Sequence, residues 1–374
     1  MMILVLDLVG TNLESGTKSF NINLLKQFLK NEIKAKIFIF TTRDYLKDIQ
    51  IDKIPKNIKL IIKPNYLGIN LLKIVWMQII FPFELKFLGI KKVYSSMNYC
   101  PLVCKLFKIE IFLNIHSNLH WVHFNQMPGS KIKNFLIKFL MFLSIKLSDK
   151  LIVNSYFAKK EIKQKLKLNS KKIFVNYLGV YDDKIKEKEN KSLKFNFKNK
   201  YILSVSSCVR YHDFLQILKA FKKTKYKIKN IKLVFIMQIL DKKYFNEINS
   251  YVDQNFHNNE IYFFENLNPS LLKKFYKNSL FYIFSSYCEV FGLTSLEAMK
   301  NKTPVLISKC SALPEINGKA AMYFNPNNHI DISKKMKKLI KSNGLRKSLI
   351  KKGIKQAEKF NWFSTYKSLI KILI

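Results

Sequence analysis

The chain has 374 residues, 48% of them hydrophobic, and its 66 basic against 25 acidic residues give a formal net charge of +41. The hydrophobic fraction excludes an intrinsically disordered chain, and the length suits two domains that each bury a core. The charge fits either a solvated lysine coat or attraction to a polyanion, lipid headgroups or nucleic acid. Of the two polyanions we favour membrane, because apolar and basic residues alternate along the N-terminal half and no nucleic-acid-binding motif stands out.

The cysteines and the N-terminus point to a reducing compartment. The five cysteines are scattered without C-x-x-C spacing, so neither a zinc site nor a disulfide framework is predicted. Residues 1–7 lack a basic region and a cleavage site, and they predict a first strand rather than a signal peptide. We therefore expect a cytoplasmic protein with no metal and no cofactor, and a position at the inner face of the cell membrane is compatible with this expectation.

In the N-terminal half, short apolar runs alternate with helical patterns. The strand predicted over 1–7 leads into a loop with Gly10 and Gly16, and apolar residues then recur at helical spacing from Phe20 to Lys30. A strand, a glycine-bearing loop and a helix are the opening of a Rossmann-type unit. Further strands are predicted at 35–40, 58–62, 93–94, 109–115, 151–153 and 173–175. This alternation predicts a parallel sheet covered on both faces.

Two apolar stretches of this half bear on membranes. Residues 71–88 are too interrupted by charges and Pro82 to span a bilayer. Residues 131–148 predict an amphipathic helix with a wide apolar face and lysines on the other side. We favour an ordinary core-facing helix there, and an interfacial helix resting on anionic lipid is the alternative.

A second unit follows a charged segment. Seven lysines between Lys184 and Lys200 indicate a linker at 184–199. Strands are then predicted at 201–205, 231–237, 261–264, 281–284 and 303–307. The predicted fold is α/β with two Rossmann-like domains, an N-terminal domain at 1–183 and a C-terminal domain at 200–355.

The stretch 281–299 carries the strongest chemical signal. A buried strand at 281–284 is followed by Glu289, and Thr294-Ser-Leu-Glu297 is the pattern of a capping box that opens a helix. The backbone N–H groups of 291–294 would then lie at the positive end of that helix, where anions bind. Glu297 is explained by the capping box alone, whereas Glu289, between an apolar strand and Phe291, needs partners.

A longer pattern runs through this stretch as Phe291-Gly-Leu-Thr-Ser-Leu-Glu-Ala-Met299, Thr303-Pro-Val305 and Ser311-Ala-Leu-Pro-Glu-Ile-Asn-Gly318. With Glu289 and Glu297 at E-x7-E spacing, it resembles the retaining glycosyltransferases of family 4, of the bacterial cell-surface polysaccharide type. The resemblance implies the GT-B architecture, in which two parallel sheets face each other across a cleft and a closing helix, here 356–374, returns to the N-terminal domain. It also implies transfer of a hexose from a nucleoside diphosphate sugar to a glycan or lipid-linked acceptor with retention of configuration, as in O-antigen or capsule assembly.

The resemblance also assigns site residues. It implies that Glu289 orients the transferred sugar, that His116 contacts it, and that Gly16 keeps half of a Gly-Gly pair near the donor phosphate. The family usually places Arg and Lys where this chain has Ser207 and His212, so we expect Arg210 to offer an alternative phosphate fork and His212 to help when protonated. The predicted catalytic residues are Glu289 and His116. The predicted donor-binding residues are Glu297, Phe291, Gly292, Leu293, Thr294, Arg210, His212, Ser207 and Gly16.

Three alternatives remain open. The departures at Ser207 and His212 motivate a non-catalytic nucleotide-sugar-binding subunit of the same fold. The charge alone motivates a basic nucleic-acid-binding protein, although we expect no nucleic acid partner. A nucleotide-sugar epimerase shares the two-domain architecture and is the weaker enzyme alternative.

Overall fold

The computed structural model describes residues 3–9, 16–31, 35–47, 54–68, 70–122, 124, 127, 130–180, 195–225, 230–257 and 259–374. The chain divides into two compact units. Unit 1 comprises 1–118, 131–179 and 362–374, and unit 2 comprises 119–130 and 180–361. The predicted glycine loop before Gly16 and most of the predicted linker, 184–194, lie outside the described residues.

Unit 1 is built on a parallel sheet with the strand order β3-β2-β1-β4-β5-β6-β7. Its strands are β1 (Ile3–Asp7), β2 (Lys36–Thr42), β3 (Ile58–Lys63), β4 (Lys92–Ser95), β5 (Glu110–Ile115), β6 (Lys150–Val153) and β7 (Ile173–Val175). Each strand predicted in this half is present. The order reverses between the neighbours β1 and β4, as in doubly wound folds.

Helices connect these strands. They are α1 (Gly16–Lys30), α2 (Arg43–Lys47), α3 (Asn70–Val75), α4 (Phe81–Phe87), α6 (Lys131–Leu147), α7 (Tyr156–Leu166) and α15 (Trp362–Leu373), with a π-helix at Trp76–Ile80 and 3-10 helices at Asn65–Gly68, Leu102–Phe107 and Ser170–Lys172. Helices α1 and α15 pack on one face of the sheet, where the rings of Phe28 and Tyr366 lie 5.1 Å apart. The C-terminal helix is therefore part of the core of unit 1.

Unit 2 has a second parallel sheet with the order β10-β9-β8-β11-β12-β13. Its strands are β8 (Lys200–Cys208), β9 (Ile231–Ile239), β10 (Ile261–Glu265), β11 (Phe281–Phe284), β12 (Val305–Ser308) and β13 (Ala321–Phe324). Its helices are α5 (Leu119–Val122), α8 (Phe214–Lys225), α9 (Lys242–Asn255), α10 (Pro269–Asn278), α11 (Leu293–Lys300), α12 (Leu313–Asn317), α13 (His329–Lys341) and α14 (Asn343–Ala357), with 3-10 helices at Arg210–His212 and Gly318–Ala320. The predicted α/β class with two Rossmann-like sheets is confirmed, and β13 is the strand that the sequence pattern missed.

Candidate functional site

The candidate site in unit 2 lies at the carboxyl ends of two neighbouring strands. Strands β8 and β11 pair in parallel at the point where the strand order reverses. Chain segments leaving such a pair diverge to opposite faces of the sheet, which opens the crevice where α/β folds bind ligands. His212 follows β8 and Glu289 follows β11. The topology therefore brings together two predicted site residues that are 77 positions apart.

The Glu289 carboxylate is held through one of its oxygens. Its Oε1 accepts a hydrogen bond from His212 Nε2 at 3.0 Å and another from the Ser286 hydroxyl at 3.3 Å. The backbone is held as well, since the Ala312 N–H donates to the Glu289 carbonyl at 3.1 Å. The Glu289 side chain is 19% exposed, so the carboxylate is partly shielded and still reachable. These contacts supply the partners that an acid beside an apolar strand needs.

The His212 ring lies between two acceptors. Its Nδ1 is 2.6 Å from the Ser207 carbonyl oxygen, and its Nε2 is 3.0 Å from the Glu289 carboxylate. Each ring nitrogen therefore lies within hydrogen-bonding distance of an oxygen of the protein. A ring N–H that donates to a carboxylate makes a charge-assisted hydrogen bond.

The loop between β11 and α11 ends differently from the predicted capping box. Helix α11 begins at Leu293, and its N-cap is Gly292 at φ +86°, where no side chain caps the helix. Thr294 lies inside the first turn, and its hydroxyl is 2.8 Å from the Tyr282 hydroxyl. The predicted capping box is therefore wrong, because a left-handed glycine starts the helix before Thr294. Phe291 is buried against the Phe360 ring at 5.6 Å.

Glu297 lies in the second turn of α11 and has a tyrosine partner. The Tyr276 hydroxyl donates to Glu297 Oε2 at 3.2 Å. Burial raises the Glu297 pKa to about 7, and the Tyr276 hydrogen bond offsets part of that rise. Near neutral pH this carboxyl therefore sits close to its protonation midpoint, which suits a group that accepts or donates to a hydroxyl.

The Arg210 guanidinium is already engaged in the structure. It forms a bidentate pair with Glu247, at 2.9 and 2.5 Å, and lies 3.7 Å from Asp241. Its pKa is raised by these carboxylates, Glu247 first. A phosphate role for Arg210 stays a prediction and would have to compete with Glu247.

Two predicted residues lie in unit 1. Gly16 is the first residue of α1, and no described residue has an atom within 4 Å of the position of an added Cβ. His116 directly follows β5; its ring packs edge-on against Phe20 at 4.5 Å, and the Asn114 amide nitrogen is 2.7 Å from its Nε2. Burial lowers the His116 pKa to about 4, so the imidazole is neutral at physiological pH. Their contacts with substrate stay predictions.

The sequence patterns missed a buried ion pair at the switch point of unit 1. Asp7, at the end of β1, and Lys73, on α3, are both fully buried, and Lys73 Nζ lies 3.6 Å from Asp7 Oδ1. Burial raises the Asp7 pKa and lowers that of Lys73, and each charge opposes the shift of the other. Asp7 also accepts from the Val9 N–H at 3.1 Å, so the pair fixes the start of the loop after β1. A lone Asp at a strand end and a Lys in a helical run gave no signal of their pairing.

Comparison with known proteins finds a family similarity in the second unit. Residues 185–356 match the family model described as glycosyl transferases group 1. The matched stretch contains the Glu289 site. Within the described residues, no group of three or more His, Cys, Asp or Glu side chains could hold a metal ion.

Two of the relatives that the chain matches are named for the synthesis of surface polysaccharides. The chain is 24% identical over 232 residues to the O-antigen chain mannosyltransferase RfbU of Salmonella typhimurium, covering 58% of each protein. It is 26% identical over 192 residues to the capsular polysaccharide biosynthesis glycosyltransferase CapM of Staphylococcus aureus, covering 49% of this chain and 47% of that protein. The chain thus spans about half the length of these curated relatives.

Solved structures match the fold along the whole chain. A glycosyltransferase from Rickettsia africae aligns with a TM-score of 0.71 at 17% identity, over 100% of this chain and 98% of that chain. Anabaena HepE in complex with UDP-glucose aligns with a TM-score of 0.72 at 13% identity, over 100% and 99%. At these identities the likeness establishes the fold alone.

Proposed function

We propose that the protein is a glycosyltransferase that moves a hexose from a nucleoside diphosphate sugar to a glycan or lipid-linked acceptor, with retention of configuration, in O-antigen or capsule assembly. The observation that carries the proposal is the Glu289 carboxylate, fixed at the carboxyl end of β11 beside the N-terminus of α11. The match of residues 185–356 to the glycosyl transferases group 1 family supports the proposal. The relatives named as mannosyltransferases also support it, and they make mannose the first hexose to test.

In this proposal, different residues bind the diphosphate, the ribose and the transferred sugar of the donor. The first N–H groups of α11 bind the diphosphate, because they lie at the positive end of the helix dipole. Gly292 lets the diphosphate approach the backbone, Glu297 accepts from a ribose hydroxyl, and Glu289 accepts from hydroxyls of the transferred sugar. As the sugar–phosphate bond breaks, the N–H groups stabilise the charge that develops on the leaving phosphate, typically about 10²–10³-fold per donor. The leaving phosphate oxygen then accepts the proton of the acceptor hydroxyl.

Purified protein tests this directly. We expect GDP-mannose, UDP-glucose or UDP-N-acetylglucosamine to raise the unfolding temperature, because a ligand that binds only the folded state stabilises it. The stabilising donor should be hydrolysed slowly and transferred faster when acceptor is added. Glu289→Gln should reduce both rates about 10²-fold or more, since two hydrogen bonds to a charged group are worth about 3 kcal/mol or more. The Gln side chain matches Glu in size and its amide oxygen can still accept a hydrogen bond from Ser286, so the fold is preserved.

The same assays separate the alternatives. A nucleotide sugar that stabilises the protein without hydrolysis or transfer would favour the non-catalytic binding subunit. Isomerised donor sugar would favour the epimerase. Salt-sensitive retention of RNA, without any nucleotide-sugar binding, would favour a nucleic-acid-binding protein.

We also infer a membrane contact for unit 1. The favoured interpretation of the helix at 131–148, an ordinary core-facing helix, is wrong for most of α6. Large apolar side chains of α6 are exposed, including Ile132, Phe135, Leu136 and Phe139. Its buried side chains are Asn134, Met141, Ser144 and Ile145. Large apolar side chains are also exposed on α3, the π-helix, α4 and the 3-10 helix at 102–107, with Phe87 93% and Leu106 79% exposed. Among the described residues of unit 2, only Leu240 and Ile330 are large exposed hydrophobics.

These elements form one surface, which we call the unit 1 apolar surface. The rings of Phe83 and Phe107 lie 5.1 Å apart, and the 3-10 helix at 102–107 also contacts α6. Lysines border the surface, including Lys86 with its Nζ 4.7 Å from the Phe107 ring. The carboxylate in these elements is Glu84, which Lys63 neutralises at 2.5 Å. An apolar patch ringed by lysines fits an anionic lipid bilayer. None of the described helices is long and apolar enough to cross a membrane.

Vesicle flotation tests the membrane contact. We expect the protein to float with vesicles of phosphatidylcholine plus phosphatidylglycerol and much less with phosphatidylcholine alone. Phe87→Glu with Leu106→Glu should reduce binding about 10-fold or more, because each buried side chain contributes about 1.5–3 kcal/mol. The matched control, Leu240→Glu with Ile330→Glu, should leave it unchanged. Equal flotation of both double variants would contradict the contact, and variants that only dissociate a dimer would assign the surface to a second copy of the chain.

A further inference from the structure

His212 is placed to orient Glu289 rather than to bind phosphate. Its ring packs edge-on against Tyr211 at 4.5 Å and Phe284 at 5.2 Å. The side chain is 8% exposed, and the Nδ1 contact to the Ser207 carbonyl at 2.6 Å fixes the rotation of the ring. A ring that is packed against two aromatic side chains and fixed at one nitrogen points its other nitrogen in a single direction. That direction is the carboxylate of Glu289.

The two carboxylate oxygens of Glu289 differ in their hydrogen-bond partners. Oε1 accepts from His212 Nε2 and from the Ser286 hydroxyl. Oε2 accepts no hydrogen bond from any residue that the structure describes. A carboxylate has about four acceptor positions, so Oε2 and the remaining lone pair of Oε1 stay available to hydroxyl donors.

We propose that His212 is a positioning residue: anchored on the Ser207 carbonyl, it holds Oε1 of Glu289 and thereby presents Oε2 to the transferred sugar. This inference rests on the proposed function and deepens it, because it assigns one carboxylate oxygen to the sugar hydroxyls. The nucleoside diphosphate portion of the donor then does not depend on His212, since both ring nitrogens are already used within the protein.

Binding measurements test the proposal, with calorimetric titration of a nucleoside diphosphate and of the matching nucleotide sugar. The pairs are GDP with GDP-mannose and UDP with UDP-glucose, and the pair that the wild type binds is used. His212→Phe retains the aromatic packing and removes both N–H donors, whereas His212→Gln retains one donor toward Glu289. We expect His212→Phe to lose about 10-fold or more in nucleotide-sugar affinity and less than about 2-fold in diphosphate affinity. His212→Gln should recover part of the loss.

A double-mutant cycle with Glu289→Gln adds a readout that a general structural defect would not give. If His212 acts through Glu289, His212→Phe should change nucleotide-sugar affinity less than about 2-fold in the Glu289→Gln background. Equal loss of diphosphate and nucleotide-sugar affinity would make His212 a phosphate-binding cation, and additive effects would make it independent of Glu289. Either result overturns the proposal. If Glu289→Gln itself leaves nucleotide-sugar binding and transfer unchanged, the proposed function of the site fails instead.

Discussion

Replacing Gly292 with alanine tests whether the N-terminus of α11 is built by the glycine. At φ +86° a residue with a Cβ is strained by about 1–2 kcal/mol. The added Cβ would also lie 2.4 Å from Leu313 Cδ2, a contact that cannot persist without movement. Overpacking of this kind costs about 1–3 kcal/mol. The two effects together predict a loss of about 2–5 kcal/mol in the free energy of unfolding of unit 2.

Two other glycines provide graded controls. Gly344, in α14, has nothing within 4 Å of the position of an added Cβ, so Gly344→Ala should stabilise the helix by up to about 1 kcal/mol. At Gly353 the added Cβ would meet Met299 Cγ at 3.0 Å and Met299 Cβ at 3.3 Å, so the methionine must shift by a few tenths of an ångström. Gly353→Ala should therefore fall between the other two variants.

Thermal unfolding and donor titration provide the readouts. For a domain of about 150–250 residues each 1 kcal/mol shifts Tm by about 2–4 °C, so Gly292→Ala should unfold at least about 4 °C below the wild type. Any movement of the loop also displaces the first N–H groups of α11, so affinity for the nucleoside diphosphate should fall with stability. A Gly292→Ala protein as stable as Gly344→Ala, with unchanged affinity, would show that neither the left-handed backbone nor the Leu313 contact matters.

Two further predictions concern buried charge. Burial raises the pKa of Glu297 in the folded protein to about 7, above its ordinary value of 4.5, so the folded state binds a proton more tightly than the unfolded chain does. The stability of the wild type relative to Glu297→Gln should therefore fall by about 2.5 kcal/mol between pH 5 and pH 8. A stability difference that stays constant across this range would contradict the raised pKa. Lys73→Met leaves Asp7 buried without its partner, so it should lower the free energy of unfolding by about 3–5 kcal/mol. The double variant with Asp7→Asn should recover much of that loss. Equal stability of the single and double variants would refute the pairing.

The strands could be predicted because each fully buried parallel strand is a short apolar run. Strand β11, with all four residues buried, is the clearest case. Strand β13 escaped because Met322 and Tyr323 are only half-buried and the strand follows directly on the 3-10 helix at 318–320. Its identity depends on pairing with β12, a tertiary fact that no local pattern carries.

Local sequence patterns indicated which residues follow β11, but they did not predict the contacts that these residues make with distant parts of the chain. The positions of Glu289 and Glu297 followed from a local pattern. The capping box does not form, because Gly292 takes the left-handed conformation at the N-cap. The Thr294 hydroxyl instead forms a hydrogen bond with the Tyr282 hydroxyl on β11. The hydrogen bond between His212 and Glu289 joins residues 77 positions apart, and only the pairing of β8 with β11 brings them together.

The pairing of His212 with Glu289 also changes what the departure from the family pattern means. A lysine in place of His212 would carry a charge on a flexible stem that could reach a phosphate, whereas the imidazole is short, planar and packed against two aromatic rings. Such a ring cannot follow a ligand, but it can fix the carboxylate that contacts one. Relative to the family pattern, His212 therefore replaces a mobile positive charge with a rigid hydrogen-bonding ring. In the proposed function, the diphosphate would then depend more on the backbone N–H groups of α11. Variants that displace that helix, Gly292→Ala first among them, should consequently weaken diphosphate binding more than any change at His212.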